Sequence, residues 1–183
     1  ISEPNTDCDD SEASIHPGVN DIVGDGIDQD CDGGDVCYAD ADDDGFRALG
    51  GQTVASSDLD CNDSGEATSI EPATDCDDTD PSINPAVSEI TGDEFDQNCD
   101  GTEVCFADAD NDGVRSMGLE TMNSVDTDCT DVGEATIAVD ATDCDDSDAA
   151  VNPTATEVVG DEIDQDCDGT EVCFLDADSD GYR

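Results

Sequence analysis

The chain repeats itself at a fixed step of 68 residues, and this period constrains its fold more than any other property. The segment Asp-Cys-Asp-Asp occurs at Asp7 to Asp10, Asp75 to Asp78 and Asp143 to Asp146. Cys31, Cys99 and Cys167 keep the same step, as do Cys37, Cys105 and Cys173, the pair Cys61 and Cys129, and the arginines Arg47, Arg115 and Arg183. Between positions 75 and 115, 27 of 41 residues recur 68 positions later, which marks tandem duplication rather than a shared bias in composition. The units read as 7–74 and 75–142 for two full repeats and 143–183 for a partial third, with 1–6 as the tail of a preceding one. A chain that starts and ends inside a unit reads as a window onto a longer array or a piece of a filament. The fold class expected is therefore a linear, elongated array of small repeats, each touching its neighbours.

Such units cannot be held by apolar burial alone. There is no Trp, and only four Phe and two Tyr are present, while 53 acidic residues face 3 basic ones for a formal charge of -50. Like charges about 4 Å apart repel by roughly 1 kcal/mol even in water, so a cation-free chain of this kind is expanded. The charge fits either a disordered acidic polymer or a protein whose carboxylates are metal ligands. It disfavours nucleic acid and anionic membrane surfaces as partners. No apolar run approaches the roughly 20 residues of a membrane-spanning helix. Units so poor in apolar mass need disulfides, metals or association, and eleven cysteines supply the first.

A full repeat carries four cysteines, and no Cys-x-x-Cys pair occurs, which argues against zinc and for oxidised pairs in a secreted or cell-surface setting. Four cysteines allow three connectivities. One pairs Cys8 with Cys31 and Cys37 with Cys61, closing two similar loops and leaving Cys173 over; its copies are Cys76 with Cys99, Cys105 with Cys129, and Cys144 with Cys167. A rival pairs Cys31 with Cys37 and Cys61 with Cys76, leaving Cys8 over. The cysteine count does not separate them.

The acidic residues are patterned. Asp at alternate positions followed by Gly converges carboxylates on one ion, with Gly allowing the sharp turn, and calcium takes six to eight such oxygens. Each repeat has two of these loops. The first is Asp28, Asp30, Asp32 and Gly33, with copies Asp96, Asn98, Asp100, Gly101 and Asp164, Asp166, Asp168, Gly169. The second is Asp40, Asp42, Asp44 and Gly45, with copies Asp108, Asp110, Asp112, Gly113 and Asp176, Asp178, Asp180, Gly181. Asn98 keeps an oxygen ligand where its counterparts carry charge, a change that suits a metal site and not an acid–base catalyst. Neither loop is a complete EF-hand: the twelfth position from Asp40 is Gly51, where a bidentate Glu belongs. Further ligands are expected from the clusters that the first pairing would bring up: Asp7, Asp9 and Asp10 beside the first loop, and Asp60 and Asp63, with Asp58, beside the second. The same roles fall to Asp75, Asp77, Asp78, Asp143, Asp145, Asp146, Asp128 and Asp131 in the other repeats. About three or four calcium ions per full repeat are expected, held at about 0.1 to 1 mM.

The remaining features are minor. Ile15, Ile22, Ile27, Val36, Tyr38 and Phe46 recur as Ile83, Ile90, Phe95, Val104, Phe106 and Val114, and read as one small core per repeat. Short strands are expected at 36–39 and 46–49, a helical turn near Pro85 to Glu89, and irregular loops elsewhere. The arginines brace a carboxylate cluster or stand exposed. Asn62-Asp63-Ser64 is a formal glycan acceptor, and its second-repeat copy has Thr130 in place of Asn62.

With Asp-Cys-Asp-Asp, Ile83-Asn84-Pro85, the run Gly24 to Gly33 and the run Tyr38 to Gly45 in view, the chain resembles the MopE-type metal-binding repeats of bacterial surface proteins, along its whole length. Its second loop is also similar to the calcium loops of thrombospondin type 3 repeats. The resemblance implies a secreted, repetitive module whose structure depends on metal. The family often has a further Cys where this chain has Val23, Thr91 and Val159, which supports pairing the two flanking cysteines directly. The copper site that the family's name implies uses a modified Trp and His residues; with no Trp and only His16, copper is not carried over.

The function expected is that of a calcium-rigidified stalk or self-assembling filament, with copies of itself as partner. The alternative is a calcium-dependent adhesion or ligand-binding module of a larger surface protein, and a metal scavenger stands third. No catalysis is expected, because the carboxylates recur in every repeat as a scaffold's would and no nucleophile motif accompanies them.

Overall fold

The computed structural model describes residues 7–181, so the expected tail at 1–6 and Arg183 lie outside the described residues. Among the described residues there is no helix, and eight short strands punctuate loops and turns. Two compact units form: one comprises 7–88 with 97–100, the other 89–96 with 101–181. Each unit straddles a boundary between sequence repeats.

In the first unit, β1 (Val36–Asp40) lies between β2 (Thr53–Ala55) and β3 (Gly65–Ala67), all antiparallel, with Cys37 opposite Val54 and Tyr38 opposite Ala67. Val36 and Tyr38 are residues that suit a pleated surface, and alternation turns Cys37 to the other face, where it is fully buried. The second unit repeats the arrangement, with β4 (Val104–Ala107) between β6 (Thr121–Asn123) and β7 (Glu134–Ala135). It adds a parallel pair, β5 (Arg115–Ser116) with β8 (Ala141–Asp143); the first unit has a single parallel bridge there, Ala48 with Asp75. The strand expected at 46–49 is reduced to that bridge. Of the stretch Pro85 to Glu89, only the start is a hydrogen-bonded turn, closed by Val87 N–H to Asn84 O at 3.2 Å, and none of it is a helix.

Five disulfides form: Cys8–Cys31, Cys37–Cys61, Cys76–Cys99, Cys105–Cys129 and Cys144–Cys167. They select the pairing into two similar loops over its rival and leave Cys173 free.

The core differs from the expected one. Ile22, Ile27, Ile90 and Phe95 are exposed, Ile22 by 63%. The buried apolar groups are instead Cys37, Cys61, Ala48 and Ala67 in the first unit, and Cys105, Cys129, Ala135 and Val151 in the second. A chain with so few large apolar residues has nothing with which to cover its isoleucines, so the cystines become the centre against which small side chains pack.

Candidate metal centres

All six acidic loops share one backbone design. The glycine N–H donates to the first aspartate five residues earlier: Gly33 to Asp28, Gly45 to Asp40, Gly101 to Asp96, Gly113 to Asp108, Gly169 to Asp164 and Gly181 to Asp176, at 2.8–3.1 Å. Each glycine has positive φ, 91° at Gly45, with open space where a side chain would stand. The requirement is therefore conformational, and Gly45→Ala is expected to destabilise the protein by about 1–2 kcal/mol in a denaturant titration; an unchanged midpoint would refute it.

The fourth loop position is also left-handed, and it is not glycine: Cys31, Cys99 and Cys167 in the first loops, Asp43, Asn111 and Ser179 in the second. This is an uncommon conformation for such residues. In the first loops the residue is tied to another segment by its disulfide. In two of the second loops it is tied by hydrogen bonds, Gly65 N–H to Asp43 Oδ1 at 2.8 Å and Gly133 N–H to Asn111 Oδ1 at 2.7 Å. The Cys37–Cys61 bridge thus brings the 63–66 segment to the second loop, but the contact is made by Asp43. Asp60, Asp63, Asp128 and Asp131 stay exposed; in the second unit Asp126, Asp128 and Asp131 act together on Glu134, whose carboxyl is raised by burial and then by their charges.

In the first loop, Asp28 and Asp30 are joined by Asp21, with one oxygen from each within 4.8 Å of the others. Asp21 accepts from the amides of Gln29 and Asp30, and Glu157 does the same for Gln165 and Asp166. Gln29 is buried and its amide spans Ile22 N–H and Asp25, which explains the Gln of the Asp-Gln-Asp run. Burial, with the charges of neighbouring aspartates, raises Asp30. Asp21 and Glu157 are absent from the acids expected at these loops, because they lie outside the alternating pattern and change from Asp to Glu. The signal that could have found them is an acid retained at the 68-residue step. Asp35, Glu103 and Glu171 keep it too, and their carboxylates accept from Gly26, Gly92 and Gly160 N–H, respectively.

The Asp-Cys-Asp-Asp segments divide their labour. Asp9, Asp77 and Asp145 close local turns, accepting from the hydroxyls of Ser11, Thr79 and Ser147 at 2.5–2.6 Å. Asp75 and Asp143 are each 1% exposed and act electrostatically on the second loop of the repeat before them. Asp78 Oδ1 accepts from Ala41 N–H at 3.2 Å, and Asp146 Oδ1 from Ala109 N–H at 2.8 Å. Asp7 is exposed, and Cys8 N–H meets Cys31 Sγ, which places the first copy beside the first loop.

The second loops hold the buried loop carboxylates, Asp40 and Asp108. Asp40, Asp42 and Asp44 present oxygens within 4.8 Å of one another, as do Asp108, Asp110 and Asp112. Burial, followed by the charges of Asp44, Asp75 and Asp40, pushes Asp42 up to about 6, and Asp75, Asp110 and Asp143 are raised by the same causes. A carboxyl whose folded pKa lies above its unfolded value favours the fold while protonated and loses that contribution as pH rises through the folded value. Cation-free protein is therefore expected to be more folded at pH 4 to 5 than at pH 7, where little of the unfolding transition remains, with the fall centred below pH 6. A scanning-calorimetry series in chelator-treated buffer checks this, and a flat or rising profile would contradict it.

The donors suit a hard divalent cation. Several buried carboxylate oxygens, among them both of Asp42 and one each of Asp44, Asp75, Asp108, Asp110, Asp112 and Asp143, have no hydrogen-bond partner. Oxygen-only sets match calcium, magnesium or manganese, whereas copper and zinc favour imidazole and thiolate. His16 is exposed, and the cysteines beside these clusters are oxidised.

Acidic loops of one design, stapled by disulfides and recurring in tandem, define a metal-binding repeat protein. The chain belongs to the MopE-type family described as "Putative metal-binding motif", whose profile matches residues 7–36, 75–103, 101–113 and 143–171, more than half of its length. No curated protein and no solved structure matches it significantly. No helix among the described residues is long and apolar enough to cross a membrane.

Proposed function

We propose that this is a calcium-binding structural protein of the extracellular space, non-catalytic, whose repeats are rigidified by the ions they hold and serve as a stalk or self-assembling filament. The observation that carries the reading is the set of buried carboxylate oxygens lacking any partner in both units. An unpaired buried carboxylate is costly, and a calcium ion supplies the missing charge and accepts several oxygens at once. Calcium is favoured over copper by the all-oxygen donor set, although the family is named for copper. Secretion is favoured because five disulfides persist in an oxidising compartment and calcium is abundant there.

Metal analysis of the native protein, with calorimetric titration of calcium, magnesium and copper, tests the ion. Calcium uptake with a stoichiometry of several per chain is expected, and tight copper binding in its absence would overturn the assignment. Electron microscopy of native material tests the assembly: regular fibres support it, and isolated particles that bind a partner only with calcium would favour the adhesion module.

A further inference from the structure

We propose that each second loop and the Asp-Cys-Asp-Asp segment of the following repeat form a single divalent-cation site, so that one ion fastens two consecutive repeats together. The inference rests on the reading of the chain as a calcium binder and adds where the joint lies and which residues make it.

The orphaned oxygens locate the site. At the first junction they are both oxygens of Asp42, Oδ2 of Asp44 and Oδ2 of Asp75. At the second they are Oδ1 of Asp108, Oδ2 of Asp110, Oδ2 of Asp112 and Oδ2 of Asp143. Each junction thus offers four, and each time one comes from the next repeat. The other oxygens are engaged by backbone amides that hold the carboxylates in place: Asp44 Oδ1 accepts from Phe46, Asp75 Oδ1 from Asp77, Asp112 Oδ1 from Val114 and Asp143 Oδ1 from Asp145, at 2.8–2.9 Å. Asp75 and Asp143 are the most deeply buried members, so the residue contributed by the following repeat is the one least able to find water instead.

The backbone is already docked around this point. Leu49 N–H donates to Asp75 O at 2.9 Å and Met117 N–H to Asp143 O at 3.0 Å. Arg47 and Arg115 do not act as the counter-charge; each guanidinium lies 3.9 Å above an aromatic ring, Tyr38 or Phe106, and its Nε–H is given to a carbonyl, Glu71 O or Val139 O. The arginine therefore pins the connecting segment and leaves the carboxylates to a cation. Four oxygens from the protein leave room in a calcium shell of six to eight for water and for Asp78 or Asp146, whose Oδ1 atoms are anchored on the same loops.

The test uses the full chain and calcium alone. In wild type, hydrogen exchange at the amides of Leu49 and Met117 is expected to slow at least tenfold when calcium is added to chelator-treated protein. Calorimetry on the double variant Asp75→Asn, Asp143→Asn is expected to show two sites lost or weakened at least tenfold, with faster exchange at both amides in calcium. Asn keeps the oxygen that receives the Asp77 or Asp145 amide, so the variant retains its local turn. The control Asp28→Asn, Asp164→Asn, in the first loops, is expected to leave those two amides protected. No calcium uptake by wild type would overturn the calcium reading itself. Calcium uptake with unaltered exchange at Leu49 and Met117, or a double variant matching wild type in stoichiometry, affinity and exchange, would overturn the junction alone.

Discussion

Stripping divalent cations at neutral pH is expected to expand the chain and abolish its sheets. Charge separations of about 5 Å cost about 3 kcal/mol per pair at an effective dielectric near 20, and each junction packs several such pairs. The net stability of a domain is only about 5–15 kcal/mol, so the uncompensated repulsion exceeds what a cystine-and-alanine core supplies. Small-angle scattering should show the radius of gyration rising toward, but staying below, the roughly 45 Å of an unbridged unfolded chain of this length, because the disulfides still close their loops. Restoring calcium should reverse the change. Retention of the compact form in chelator at low ionic strength would show that the carboxylates are held without an ion, and the structural role of the metal would be lost.

Removing one bridge, Cys37–Cys61, by paired substitution with Ala is expected to be strongly destabilising while leaving the acidic loops intact, and more so than removing Cys8–Cys31. Closing a loop of this length accounts for about 3 kcal/mol on the chain-entropy view. This cystine also forms the buried centre of its unit: Cys37 is 0% exposed and Cys61 5%. Cys8 is exposed and Cys31 only half-buried, so the Cys8–Cys31 pair carries the loop term without the packing term. Denaturant titrations of the two paired variants in saturating calcium should therefore differ, with the Cys37–Cys61 variant losing more by 1 kcal/mol or greater, in keeping with deletion of buried side-chain atoms. Equal losses would mean that the bridges act only on the unfolded chain.

How much of this was legible in the sequence follows from where each contact is made. The six loops were readable because their pattern is local: alternate aspartates and a glycine fix the turn within six residues. The disulfide pairing was narrowed by loop length but not decided, and the fold decides it. β1 was visible in Val36 and Tyr38, while β2 and β3 were not, since Thr53–Ala55 and Gly65–Ala67 are too short to show alternation and exist through pairing with β1. The periodic isoleucines imitated a core, and composition alone could not show that cystines occupy it. The position of Asp75 was the least legible of all. The alternating pattern assigns it to the loop nearest its own disulfide, yet its charge acts on Asp42 and Asp44, 33 and 31 residues before it and in another repeat. Contacts of that kind leave no local pattern.

The cystine core carries a consequence for the order in which the chain acquires its shape. Its half-cystines cannot serve as a packing centre until they are oxidised, and at neutral pH its carboxylates repel one another unless a cation neutralises them. Both conditions fail together in a reducing, calcium-poor solution. There the polypeptide has neither a centre to collapse upon nor the means to suppress its own repulsion, so it remains extended and threadable, as a polypeptide crossing a narrow export channel needs to be. On the extracellular reading proposed above, the two reagents that complete it, an oxidant and a divalent cation, would be met together on the far side, and the repeats would fold where they are to be used.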